Sequence, residues 1–114
     1  MTTWFDRTGF QRDLLHAVAA LEADDELPYG LALKEWLGER YSDPVNHSRL
    51  YQNLDALTED GLIQVEAVDD RTNAYRLTDA GRDAFEAHVE SVAAISGREA
   101  DAEPTARADG GDGA

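Results

Sequence analysis

The chain has 114 residues, with 24 acidic side chains against 10 basic ones, a formal net charge of −14 and no cysteine. This length allows one small domain, and the lack of cysteine excludes disulfide bonds and thiolate metal sites. No apolar run reaches the roughly 20 residues that a membrane-spanning helix needs, and the N-terminus lacks the basic and apolar regions of a signal peptide. We therefore expect a cytoplasmic protein with no membrane contact.

The charge is unusual, because acid-rich chains seldom bind nucleic acids. Lys34 is the only lysine, and the other nine basic residues are arginines. Acidic, alanine-rich and nearly lysine-free chains resemble the cytoplasmic proteins of halophilic archaea, in which molar salt shortens the Debye length to about 3 Å and screens self-repulsion. The alternative is an ordinary acidic protein that binds other proteins.

Two helices are predicted in the first part of the chain. Thr8 is a suitable N-cap for a helix that runs to about Ala23. Apolar residues recur there at helical spacing: Phe10, Leu14, Val18 and Leu21. A second helix is predicted from Tyr29 to Tyr41, and Pro44 then forces a turn, because the residue before a proline avoids helical angles.

A third helix is predicted from Val45 or Asn46 to Asp60, and Gly61 is its C-terminal stop. Its inward-facing residues are Leu50, Leu54 and Leu57. The pattern of residues 62–68 then predicts a β-strand.

That strand carries Ile63, Val65 and Ala67 on one face. A turn over residues 69–73 and a returning strand over residues 74–77 complete a β-hairpin. Thr78 then caps a fourth helix, which begins at Asp79 and ends near Ser96.

This order of elements predicts a mainly α fold with a β-hairpin wing (α+β), that is, a winged helix-turn-helix with a C-terminal dimerisation helix. We expect this domain to occupy residues 1–97. Residues 98–114 contain no large apolar side chain and are rich in alanine, glycine and acids. They predict a disordered acidic tail, because so little apolar surface cannot offset the entropy of ordering.

The third helix is the candidate recognition helix, because its first turns carry side chains that can hydrogen-bond a base edge or a phosphate. These residues are Asn46, His47, Ser48, Arg49 and Gln52. Arg49 suits guanine, whereas Asn46 and Gln52 suit adenine. Residues 46–53 are free of acids in a very acidic chain, which favours DNA contact over the alternative of a solvated helix face.

The hairpin tip is the second candidate contact with DNA. Arg71 can lie along the phosphates or in the minor groove, with Thr72 and Asn73 as phosphate donors. Asp69 and Asp70 flank this tip, and they would repel the DNA backbone unless cations bridge the two. The alternative, that residues 69–73 form an ordinary hairpin turn with an arginine at the surface, is supported nearly as well as a contact with DNA.

Lys34, on the outer face of the second helix, is a further candidate phosphate contact. A lone lysine is weak support for such a contact.

The fourth helix carries an apolar stripe that favours dimerisation, since a helix projecting this far must bury its stripe on something. The stripe includes Phe85, His88, Val92 and Ile95. Phe10, Leu14 and the Trp4-Phe5 pair are predicted to complete the interface. A palindromic operator would also require two recognition helices. The alternative is that the stripe packs against the first helix of the same chain.

Neither a catalytic nor a metal site is predicted. His16, His47 and His88 lie on three different predicted helices, without metal-ligand spacing. The chain has no glycine-rich phosphate loop before a helix. We therefore expect neither an enzyme nor a cofactor.

Two segments resemble the PadR family of winged-helix regulators. The first is Leu50-Tyr51-x-x-Leu54-x-x-Leu57-x-x-x-Gly61-Leu62-Ile63, and the second is Tyr75-Arg76-Leu77-Thr78-Asp79-Ala80-Gly81-Arg82. The resemblance covers about residues 8–97. It implies a homodimer joined through its terminal helices, with the third helix in the major groove and the wing beside it.

The resemblance further implies gene repression that a small molecule or a stress signal relieves. The acidic, lysine-poor composition is similar to that of haloarchaeal members, among them an oxidative-stress-responsive regulator. Without cysteine, this chain cannot sense an oxidant through its own thiols.

The prediction is therefore a sequence-specific transcriptional regulator that binds double-stranded DNA as a homodimer, with K⁺ and Na⁺ at the protein–DNA interface. The alternative is a winged-helix protein-interaction module that binds a basic partner through its acidic faces.

Overall fold

The computed structural model describes residues 4–97, and the predicted acidic tail over residues 98–114 lies outside the described residues. The described part contains a short 3-10 turn at Trp4–Asp6, four α-helices and two strands. The elements are α1 (Gly9–Ala23), α2 (Gly30–Gly38), α3 (His47–Glu59), β1 (Ile63–Ala67), β2 (Asn73–Leu77) and α4 (Asp79–Ile95). The predicted order of elements is confirmed.

Side chains cap the start of three of these helices. Thr8, Asn46 and Thr78 each accept a hydrogen bond from the backbone N–H three residues later, at 2.9–3.1 Å. Such caps satisfy N–H groups that the helix leaves unpaired, and each stabilises by about 1 kcal/mol. The predicted caps at Thr8 and Thr78 are confirmed.

α2 is shorter than predicted and ends at Gly38, whereas the sequence predicts a helix that continues to Tyr41. The Tyr41 ring lies edge-on to the Phe10 ring, with 6.0 Å between their centroids. The Tyr41 hydroxyl also donates to the Asp13 carboxylate. The chain leaves the helix where these contacts with α1 begin.

The first three helices and the hairpin share one hydrophobic core. Its largest fully buried side chains are Leu14, Leu15, Leu33, Leu37, Leu50, Leu54, Leu57, Ile63, Val18 and Pro28. Burying a leucine or isoleucine contributes roughly 1.5–3 kcal/mol, so this cluster is the main source of stability. The predicted inward face of α3 is confirmed, since all three of its leucines are in this set.

The sequence predicts that Phe10 and Leu14 complete the dimer interface, but the structure places both side chains in the core of the protomer. They are 4% and 0% exposed inside the protomer, because the apolar face of α1 is already covered by α2, α3 and the hairpin. Neither side chain has surface left for a partner, which corrects this part of the predicted interface.

The wing is a two-stranded antiparallel sheet in which Ile63 pairs with Leu77 and Val65 pairs with Tyr75. Of the apolar residues predicted on one face of β1, only Ile63 is buried, and Val65 is 44% exposed. β1 leaves the core after its first residue and projects into solvent. β2 stays attached because the Tyr75 amide donates to the Pro28 carbonyl at 2.8 Å.

The joint between α3, the wing and α4 explains the Thr78-x-x-Gly81 spacing. The Thr78 hydroxyl donates to the Gly61 carbonyl at 2.6 Å and accepts from the Gly81 amide. A Cβ at Gly81 would lie 2.0 Å from the Leu62 carbonyl oxygen. Gly81 therefore allows the start of α4 to lie directly against the Leu62 backbone, in the connection between α3 and β1.

Candidate nucleic-acid interface

The predicted recognition residues all lie on the exposed surface of α3 or at its start: Asn46, His47, Ser48, Arg49 and Gln52. Helical geometry places Ser48 and Gln52 opposite the buried leucines. Asp55 is exposed on the same side of the helix. The centre of the exposed face is therefore polar, and it becomes acidic toward the C-terminus.

Three of these side chains have local contacts that limit what they can do. The Asn46 side-chain oxygen caps α3 by accepting from the Arg49 amide at 2.9 Å, so Asn46 starts the helix as well as lying at its surface. The His47 ring lies 4.7 Å from the Tyr51 ring. The Arg49 guanidinium lies over the Phe10 ring, with 4.0 Å from Cζ to the centroid.

The tip of the wing is a tight turn built by an acid. The Asp69 carboxylate accepts from the Arg71 amide at 2.8 Å, and this bond lowers the pKa of Asp69. The Val68 amide bonds to the Thr72 carbonyl at 2.8 Å. One of the two acids beside the wing is therefore needed to shape it, and the turn leaves Arg71 exposed.

The structure brings Arg71, Thr72 and Asn73 together with the start of α2. They line a polar cleft of about 330 Å³, whose other lining residues are Tyr29, Gly30, Leu31, Tyr51 and Tyr75. The N-cap of α2, Tyr29, makes no side-chain capping bond. Lys34 is partly exposed further along α2 and does not line this cleft.

Tyr51 is the residue of this cleft that the sequence analysis missed. A Cβ at Gly30 would lie 1.8 Å from the Tyr51 hydroxyl oxygen, so Tyr51 crosses the start of α2 in contact with its backbone. The available signal was its position inside the acid-free stretch of residues 46–53.

The arginines fall into two groups by their ion pairs. Arg7, Arg40, Arg76 and Arg82 each pair with a carboxylate. Among residues 4–97, the ion pairs do not include Arg12 on α1, Arg49 on α3 or Arg71 on the wing. The second group therefore contains both arginines that are predicted to contact DNA.

The apolar stripe of α4 is only partly covered within the protomer. Phe85 and His88 contact Trp4, whose ring lies 4.6 Å from His88 and 6.1 Å from Phe85. Val92 and Ile95 are 50% and 84% exposed. The far half of α4 therefore presents apolar surface that no other described element covers.

Three helices followed by a hairpin wing, with polar residues exposed on the third helix, define a winged helix-turn-helix protein. The model of the Transcriptional regulator PadR-like family matches residues 20–87, and the chain belongs to that family. Comparison with curated proteins finds no match.

The chain is similar to RosR of H. salinarum. The structure of that protein from crystals grown from NaBr is 42% identical, with a TM-score of 0.69, and the match covers 85% of this chain and 82% of that chain. The complex structure of hsRosR-S1 is 41% identical, with a TM-score of 0.71, and covers 80% of this chain and 77% of that chain. This similarity agrees with the haloarchaeal character of the composition.

A more distant match is F93 from STIV, a winged-helix DNA-binding protein. It is 19% identical with a TM-score of 0.59, and the match covers 78% of this chain and 94% of that chain. At this identity it shows the fold alone.

The described residues show neither a membrane-spanning helix nor a metal cluster. No helix within residues 4–97 is long and apolar enough to cross a bilayer. In the same part of the chain, histidine and acidic side chains form no group of three that could hold a metal ion.

Proposed function

We propose that the chain is a transcriptional regulator that binds double-stranded DNA sequence-specifically as a homodimer. The observation that carries the proposal is the exposed, acid-free first half of α3, with Arg49 and Gln52 at its surface, in the fold of a PadR-like regulator. In this fold the third helix enters the major groove, and its first turns meet the bases.

We infer distinct roles for the two exposed polar regions. Arg49 and Gln52 contact base edges, and each good bidentate contact discriminates against a wrong base by about 1–3 kcal/mol. Ser48, with Asn46 and His47, contacts base edges or phosphates at the helix start. Arg71, Thr72 and Asn73 hold the DNA backbone beside the cleft under the wing, and Lys34 contacts phosphate further along α2.

We infer that the dimer interface is formed by α4, through Phe85, His88, Val92 and Ile95. Support comes from the exposed apolar surface on the second half of that helix and from the small size of the domain. A palindromic operator presents two half-sites about 34 Å apart, and a two-fold dimer supplies one recognition helix for each.

Acidic groups close to the DNA would repel it in dilute salt. Asp55 on α3 and Asp70 on the wing are exposed beside the proposed contacts. We infer that K⁺ or Na⁺ ions bridge such carboxylates to phosphates in a salty cytoplasm.

The test is a mobility-shift assay in molar KCl with genomic DNA fragments, comparing the wild-type chain with Arg49→Ala and Arg71→Ala. We expect specific shifts for the wild type at low protein concentration, and for both variants only at much higher protein concentration. The matched control is Arg76→Ala, because Arg76 lies on the same hairpin but its guanidinium pairs with Glu66 at 2.8 Å. Absence of any specific shift at every salt concentration would favour the alternative, a module that binds a basic protein.

A further inference from the structure

We propose that Phe10 and Gln11, in the first turn of α1, form a cradle that positions Arg49 for DNA. They are specificity-determining residues that touch Arg49 and its helix instead of the bases. The inference rests on the proposed DNA-binding function and adds residues from a different helix to it.

The first half of the cradle is the Phe10 ring. Arg49 is the only arginine or lysine of α3, and its guanidinium lies 4.0 Å above this ring. Phe10 is buried in the core, and the Tyr41 ring lies against its edge. The ring is therefore a fixed platform. Stacking on an aromatic face leaves the N–H groups at the edge of the guanidinium free to bond.

The second half is an amide relay from α1 to the backbone of Arg49. The Gln11 side-chain N–H donates to the Asn53 side-chain oxygen at 2.9 Å in a partly buried contact. The Asn53 side-chain N–H donates in turn to the Arg49 carbonyl at 2.8 Å. The oxygen and the nitrogen of the Asn53 side-chain amide both form hydrogen bonds inside the protein, and the first of these bonds directs the side chain toward α1.

Together these contacts hold Arg49 at three points. Its amide donates to Asn46, its carbonyl accepts from Asn53, and its guanidinium stacks on Phe10. A long, flexible side chain loses rotamer freedom when it binds a base, and a contact that orders it beforehand reduces that loss. Because a fixed geometry favours one base arrangement, the cradle should affect specific binding more than non-specific binding.

The test is a double-mutant cycle in the full chain, with Gln11→Ala, Arg49→Ala and the combined variant. Affinity is measured for the most enriched genomic fragment and for a scrambled fragment, both at the same KCl concentration in the molar range. We expect Gln11→Ala to weaken binding to the enriched fragment about five- to tenfold and to leave the scrambled fragment nearly unchanged. In the Arg49→Ala background, Gln11→Ala should cause no further loss.

Two further variants separate positioning from loss of folding. Gln11→Glu keeps the size of the side chain and removes its N–H donor, and Phe10→Leu keeps an apolar core residue and removes the ring face. Both should reproduce the loss of specificity while thermal unfolding shows a folded chain. Gln64→Ala, an exposed glutamine on β1, is the matched control and should retain affinity.

Independent losses that simply multiply in the double variant would overturn the cradle, because Gln11 would then act without Arg49. Equal losses on both fragments, or unchanged binding by Arg49→Ala, would overturn it as well. These results differ from failure of the proposed function, in which the wild-type chain shifts no DNA fragment and both inferences are wrong.

Discussion

Several acidic side chains of this protein have structural partners. The large number of acids suggests only that the surface is adapted to a salty cytoplasm. The Asp69 carboxylate forms the wing turn. The Glu22 carboxylate accepts from the Leu77 amide at 3.0 Å and pairs with Arg82, which ties α1 to β2 and α4. The Asp13 carboxylate holds the Tyr41 hydroxyl. Individual acids therefore fix backbone and connector positions, which net charge alone does not reveal.

Tyr41 gives the chain a pH dependence at high pH. Burial, followed by the hydrogen bond to Asp13 and the charge of Asp13, raises the pKa of Tyr41 from its ordinary value of 10.0 to about 12. The unfolded chain then loses this proton first as pH rises, so the stabilising contribution is present below pH 10 and is lost between about pH 10 and pH 12. We expect the free energy of unfolding to fall across that window at constant KCl.

Chemical denaturation at pH 9 and pH 11.5, for the wild type and for Tyr41→Phe, measures this effect. The phenylalanine variant should be less stable at pH 9 and should lose less stability on going to pH 11.5. Tyr75 also has a raised pKa because of its burial, so some dependence should remain in the variant. An equal slope in the two proteins would rule out Tyr41 as a source.

Among the helices and strands, the packing of α4 against the connection between α3 and β1 depends on the absence of a side chain at Gly81. In Gly81→Ala the new Cβ would meet the Leu62 backbone at 2.0 Å, and backbone cannot move aside as a flexible side chain can. Overpacking of this kind costs about 1–3 kcal/mol. We expect Gly81→Ala to lower the free energy of unfolding by that amount or more.

The measurement is equilibrium unfolding in denaturant at fixed KCl. Gly38→Ala is the matched control, since a Cβ there has no neighbour within 4 Å. Alanine in a helix is favoured over glycine by about 0.5–1 kcal/mol, so the control should be neutral or stabilising. If Gly81→Ala were as stable as the control, the explanation given for the motif would be wrong.

At the scale of the whole molecule, the uncovered half of α4 predicts association. Replacing Val92, which is half exposed, with aspartate puts a charge into the proposed interface. We expect Val92→Asp to convert a dimer into a monomer, as measured by light scattering in molar KCl. Val65→Asp, at a valine of similar exposure on the wing, should remain dimeric, and a dimeric Val92→Asp would exclude this face.

The net charge of −14 predicts an unusual response of DNA binding to salt. Ordinary binders lose affinity steeply as salt rises, because binding releases cations from the phosphates. If cations instead bridge exposed acids to phosphates, binding takes up cations, and the slope becomes flat or inverted. We expect little loss of affinity between about 0.5 and 2 M KCl.

Affinity for the enriched fragment should therefore be followed across that range, with the folded fraction checked at each step. Asp55→Asn and Asp70→Asn remove the proposed bridging acids, and they should restore a more ordinary negative slope. A steep loss in the wild-type chain would contradict the proposed cation bridges.

The order of elements, the buried leucines of α3 and two of the helix caps could be predicted from the amino-acid pattern, because helical periodicity and capping are local properties of the chain. The sequence also determined the family, through the segment from Tyr75 to Arg82. The exposure of the five polar residues proposed to contact DNA on α3 also followed largely from the same periodicity.

Contacts between side chains of different helices could not be predicted from local pattern, because they depend on how the helices pack together. Phe10 follows the helical pattern of an apolar face, but that pattern does not say whether the core or a partner covers the face; packing placed it in the core, beneath Arg49. Gln11 and Asn53 are 42 residues apart and meet only because α1 and α3 pack together. Tyr51 and Gly30 likewise come into contact through packing alone. Local pattern fixes what each helix can present, whereas the crossing of helices fixes which groups remain free to bind DNA.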